Sequence, residues 1–102
     1  MNAITNEART VLELLVNNHP GVMSHICSLF SRRVYNVEGI LCMPVGDGRE
    51  SRIWLLVNED GRLEQMVKQV RKLEDVLDVR RHHAGRKVFE RQVFERLEEF
   101  FR

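Results

Sequence analysis

Asparagine, histidine and glycine crowd the segment Asn17-Asn18-His19-Pro20-Gly21, and a further asparagine, Asn36, follows after one helix-length stretch. The side-chain carbonyls of Asn18 and Asn36 can accept hydrogen bonds from an ammonium group. If a helix begins just after Gly21, its unpaired N–H groups and the positive end of its dipole attract a carboxylate. Gly21 has no Cβ, so a ligand can come close to the backbone, and Pro20 fixes the entry to the helix with no donor to waste. An amino acid carries both complementary charges. The same residues have a plainer reading, with Asn18 capping the helix and Asn36 adopting a turn conformation. Spacing leaves both readings open and supports an αβ layer with a small-anion site.

Other chemistry lacks its parts. The chain has no nucleophile–base spacing, no phosphate loop and no cluster of acids beside a histidine, so an independent enzyme is not expected. His82 and His83 are adjacent, and neighbours on a strand point to opposite faces. No Cys or Asp completes a ligand set with them, so no metal is expected. Sixteen basic side chains against 15 acidic ones give a net charge of +1, which draws neither nucleic acid nor an anionic membrane. Trp54 is alone as a base-stacking aromatic on the central strands. Cys27 and Cys42 lie in apolar patterns without CxxC spacing and read as reduced thiols in a core. The polar start and the lack of a membrane-length apolar run lead to the expectation of a cytoplasmic protein.

The elements that must position the asparagines follow from hydrophobic period. Residues 10–16, "TVLELLV", read as a strand. Val22, Ile26, Leu29 and Phe30 recur at helical spacing over about residues 20–33, widened by Met23 and Cys27. Residues 37–45 and 51–58 read as strands joined at Gly46-Asp47-Gly48. Asp60 can cap a second helix whose apolar face is Leu63, Met66, Val67 and Val70, and residues 76–82 close with a strand. The order implies an α+β, ferredoxin-like βαββαβ fold, a four-stranded antiparallel sheet with two helices on one face. Ile53, Leu55 and Val57 oppose Trp54 and Leu56 on the third strand, so both faces need cover, most simply from a second copy of the chain. With 102 residues, one modest core is expected.

The last stretch, 84–102, carries Phe89, Val93, Leu97 and Phe100 at spacings of four and three, an amphipathic C-terminal helix. It either folds back on its own sheet or docks on another protein.

"NNHPGVMSHICSLFSRRVYNVEGI" resembles the opening of an ACT domain, with Asn18, Pro20, Gly21 and Tyr35-Asn36-Val37 at the family's motif positions. "LFSRRVYNVEGI" with "RLEQMVKQVRKLEDVLDV" resembles, more narrowly, the small regulatory subunits of acetohydroxyacid synthase (acetolactate synthase), in their short form associated with isozyme I. The resemblance implies an N-terminal extension over 1–9, an ACT domain over 10–83 and a tail over 84–102. It implies a homodimer through ACT domains with valine at their interface, touched by Asn18, His19, Gly21, Val22, Met23 and Asn36. It also implies a non-catalytic role in branched-chain amino acid biosynthesis: binding and activating the catalytic large subunit and conferring feedback inhibition by valine. Thiamine diphosphate, FAD and Mg are then expected only on that catalytic subunit. In the docking reading of the tail, drawn from its spacing, Phe89, Val93, Leu97 and Phe100 are the docking residues. The alternative is a free-standing ACT-domain sensor acting on another enzyme or a transcription factor. Many such subunits are longer, with a second domain, so their docking mode does not transfer. Many also have acidic or serine residues where this loop has Asn-His-Pro-Gly. His19 is then either a solvated loop residue or a source of pH dependence, with an unperturbed pKa of about 6.5.

Overall fold

The computed structural model describes residues 9–83 and 86–101, without the side chains of Arg86, Phe100 and Phe101. The elements are β1 (Arg9–Asn17), α1 (Val22–Arg32), β2 (Val37–Val45), β3 (Glu50–Asn58), α2 (Leu63–Arg71), β4 (Val76–His82) and α3 (Arg86–Phe101). The strands form one sheet in the order β2-β3-β1-β4, and every pairing is antiparallel. This is the ferredoxin-like arrangement expected from the sequence.

The alternation of each strand decides which layer it feeds. Leu12, Leu14 and Val16 of β1 join Ile53, Leu55 and Val57 of β3 on one face. Val22, Ile26, Leu29 and Phe30 of α1 and Leu63, Met66, Val67 and Val70 of α2 pack onto them. Burying apolar faces of this kind is the main force that holds such a sheet and its helices together. Tyr35, 4% exposed, donates its hydroxyl to the Asn58 carbonyl and closes the lower end of that layer.

The other face carries a second cluster, Val11, Trp54 and Leu56, with Leu41 and Met43 beside it. Here α3 does part of what a second copy was expected to do. Val88 and Phe89 pack on the cluster, and the Arg96 guanidinium lies 5.2 Å from the centre of the Trp54 ring, within cation–π range. The Phe89 ring comes so close to β2 that a Cβ at Gly39 would stand 3.0 Å from it. Farther along the sheet this face turns polar. Glu13, largely buried, accepts hydrogen bonds from Arg52 Nη1 at 2.8 Å and from the His82 ring at 2.7 Å.

Cys27 and Cys42 are exposed, not core thiols. Cys27 follows Ile26 and falls off the buried stripe of α1. Cys42 lies opposite Ile53 on edge strand β2, where Ile40 on the same face is likewise exposed, at 44%. Asp60 sits two residues before the N-cap position. It accepts the Arg62 backbone N–H at 2.8 Å and its guanidinium at 3.2 Å, ahead of the helix, and Arg62 holds the N-cap position.

Candidate ligand site at the β1–α1 loop

Three connections meet at the end of the sheet where β1 stops. The Asn17 N–H donates to the Asp75 carbonyl at 2.8 Å, and the Asn18 N–H to the Arg49 carbonyl at 2.9 Å. Asn18 Nδ2 donates to the Gly48 carbonyl at 2.8 Å. The loop is thus tied to the β2–β3 turn on one side and to the α2–β4 connection on the other. Because Asn18 gives its N–H₂ to Gly48, its side-chain carbonyl remains an available acceptor. Asn18 does not cap α1: the N-cap is Gly21, and no side chain supplies a capping bond.

Gly21 has φ +95°, in the left-handed region that L side chains resist. A Cβ there would meet nothing within 4 Å, so the space in front of the residue is open. The Val22 N–H reaches the His19 carbonyl at 3.3 Å, and the His25 N–H reaches the Gly21 carbonyl at 2.9 Å. The N–H groups of Met23 and Ser24 take no acceptor among the described residues. These two donors at the positive end of α1 suit a carboxylate. Ser24 was not among the residues singled out in the sequence.

His19 is more than a solvated loop residue. One ring nitrogen lies 2.6 Å from the Pro20 carbonyl, and the other pairs with the Asp75 carboxylate. Contact with the Pro20 carbonyl, then with Asp75, raises the imidazole pKa above 6.5. The His19 ring, followed by Asn17, holds Asp75 below 3.8, against the opposing effect of desolvation. Asp75 sits 56 residues away in the chain, and no local pattern announces it.

Asn36 is exposed and lies elsewhere. It precedes Val37, which pairs with Val57, and Val57 pairs with Thr10 at the start of β1. Asn18 instead follows Asn17, which pairs with Glu50, itself paired with Val45 at the end of β2. At roughly 3.3 Å per strand residue, the two asparagines stand about 25 Å apart in one protomer. Of the tail residues, Phe89 is packed on the sheet, Val93 is half-buried and Leu97 is 46% exposed. The Phe100 side chain lies outside the described residues.

Residues 12–78 match the family described as the AHAS small subunit-like ACT domain. The chain is 56% identical over 85 residues to the acetolactate synthase isozyme 1 small subunit of Escherichia coli K12, covering 83% of this chain and 88% of that one. It is 40% identical over 72 residues to the isozyme 3 small subunit of the same strain, covering 70% of this chain and 44% of the relative. The crystal structure of the Thermotoga maritima acetolactate synthase small subunit superposes with a TM-score of 0.65 at 34% identity. That match covers 72% of this chain and 46% of the other. The shared motifs, the fold and these matches agree: the chain belongs to the AHAS small subunit-like ACT domain family.

Proposed function

We propose that this chain is a non-catalytic regulatory small subunit of acetolactate synthase that binds valine and transmits its presence to the catalytic subunit. The names of the related proteins support the regulatory-subunit role and, with it, a catalytic large-subunit partner. The observation that carries the valine site is the loop itself. A left-handed Gly21, open space before it and two unclaimed N–H groups form a carboxylate cradle. Asn18, whose Nδ2 is engaged by Gly48, keeps its side-chain carbonyl as an acceptor for the ligand's ammonium in this reading.

The site needs a second protomer if Asn36 is to take part. Among the described residues the outer edge of β2 has no strand neighbour, and unpaired edges recruit strands. A two-fold, antiparallel pairing of two β2 edges sets the start of one strand against the end of the other. That pairing carries Asn36 of one chain to the level of the other chain's β1–α1 loop. Valine bridging the two chains then favours one dimer arrangement over another, and its effect is limited to its difference in affinity for the two. The exposed Phe94 and Leu97 of α3, 65% and 46% exposed, are apolar surface available to the large subunit. The chain carries no cofactor of its own in this reading; thiamine diphosphate, FAD and Mg reside on the catalytic subunit.

Reconstitution with that subunit tests the proposal. Adding this chain raises acetolactate synthase activity and makes it sensitive to L-valine. Activity that neither rises nor gains valine sensitivity contradicts it.

A further inference from the structure

The outward side of the helical layer holds a trough of about 750 Å³ between α1 and α2. Its floor includes Leu29 and Met66, and its walls carry Arg32, Arg33, Arg62 and Lys72, with no Asp or Glu among the lining residues. Arg62 pairs with Asp60 at 3.2 Å. No carboxylate lies within ion-pair distance of Arg32, Arg33 or Lys72 among the described residues. All four cations are exposed.

A chain with a net charge of only +1 has concentrated positive charge in one concave place. Helix dipoles account for part of this, since Arg32 lies in the last turn of α1. They do not account for Arg62, a cation at the N-cap of α2, where it opposes the dipole. Arg62 is nonetheless held in the trough, with Nη1 donating to the Arg33 carbonyl at 3.1 Å and its guanidinium 4.9 Å from the Tyr35 ring centre. The trough thus presents four cations, one of them held in place, above a closed floor of buried apolar residues.

We propose that this trough docks an acidic segment of the catalytic subunit, with carboxylates on the four cations. The inference rests on the regulatory-subunit reading above. It adds an electrostatic contact on the face opposite α3, and charge complementarity of this kind acts chiefly through the association rate.

The test is the association rate of the full chain with the catalytic subunit, at about 50 mM and 300 mM salt, where screening differs strongly. Arg33→Glu with Lys72→Glu removes two cations that have no carboxylate partner among the described residues. The expected result is an association roughly tenfold slower at low salt, with a flattened salt dependence. Arg33→Gln with Lys72→Gln moves the rate the same way by less. Arg49→Glu with Arg80→Glu, an equal change in net charge at exposed sites outside the trough, has a much smaller effect. Equal slowing by the two Glu pairs, or a wild-type rate insensitive to salt, overturns the trough. Failure of the wild-type chain to associate at all overturns the regulatory-subunit reading with it. The valine-dependent thermal shift of the isolated chain is retained in the trough variants, which separates docking from ligand binding.

Discussion

Asn18 and Asn36 occupy opposite ends of the sheet, one tied to the Gly48 carbonyl beside the β2–β3 turn and the other leading into Val37 opposite Val57. Nothing within one chain closes that gap, since it spans nearly the whole length of a nine-residue strand. A ligand that touches both residues bridges two chains.

Mixing variants tests this directly. Asn18→Ala and Asn36→Ala each abolish most valine binding when they form their own dimers. In a mixed dimer, one site has lost both asparagines and the other has both intact. Calorimetry on the mixed dimer therefore finds one site of near wild-type affinity. If each protomer's own pair of asparagines built the site, no mixture would recover binding.

Gly21 separates stability from ligand access. At φ +95° with nothing within 4 Å of a built Cβ, Gly21→Ala loses stability through backbone strain alone, about 1–2 kcal/mol. Asn tolerates the left-handed region better, so Gly21→Asn costs less. In the proposed site both variants put a side chain in the path of the ligand's carboxylate, and the expected result is weaker valine inhibition. Thermal unfolding and inhibition curves measured together reveal the split. Valine inhibition that tracks stability across both variants contradicts it.

The His19–Asp75 pair gives the loop a pH window. The raised imidazole pKa means its contribution is fully present below about 6.5 and is lost as pH rises through the folded value. The lowered Asp75 pKa means its contribution is present above about 3.8 and is lost as pH falls through the folded value. Both are full between those limits. The difference in melting temperature between His19→Gln and the wild type is thus larger near pH 5.5 than near pH 8.5. His19 is exposed and Asp75 only half-buried, so solvent screens the pair and the effect is small. An equal difference at the two pH values removes the pair as the cause.

Much of this architecture is legible in sequence because it is periodic. The stripe of Val22, Ile26, Leu29 and Phe30 and the alternation through Ile53, Leu55 and Val57 state their own elements. Gly21 announces its turn because φ +95° leaves few other residue types. What periodicity does not carry is the position of an edge. Cys42 has the neighbours of a core residue, yet it lies exposed on the edge strand β2. Nor does it carry contacts between distant segments, such as His19 with Asp75 or Asn18 with Gly48. The tail shows the same limit: its period foretells a helix but not its seat on Trp54 and Gly39.

That seat makes two tail phenylalanines behave differently. Phe89 packs on the sheet, so Phe89→Ala costs about 2 kcal/mol, less than a fully buried phenylalanine. Phe94 is 65% exposed, and Phe94→Ala leaves denaturant unfolding nearly unchanged while weakening association with the catalytic subunit. A large loss of stability at Phe94 would mean that its outward surface is part of the fold rather than of a docking face.

The central claim is the amino-acid site, and thermal unfolding of the purified chain with L-valine, D-valine and L-lysine tests it most directly. At a hundred times its dissociation constant, L-valine adds about 2.7 kcal/mol. For a domain of this size that raises the melting temperature by roughly 10 °C or more. D-valine and L-lysine leave it where it was. Equal shifts from L- and D-valine, or no shift from L-valine either alone or in complex with the catalytic subunit, would contradict the site.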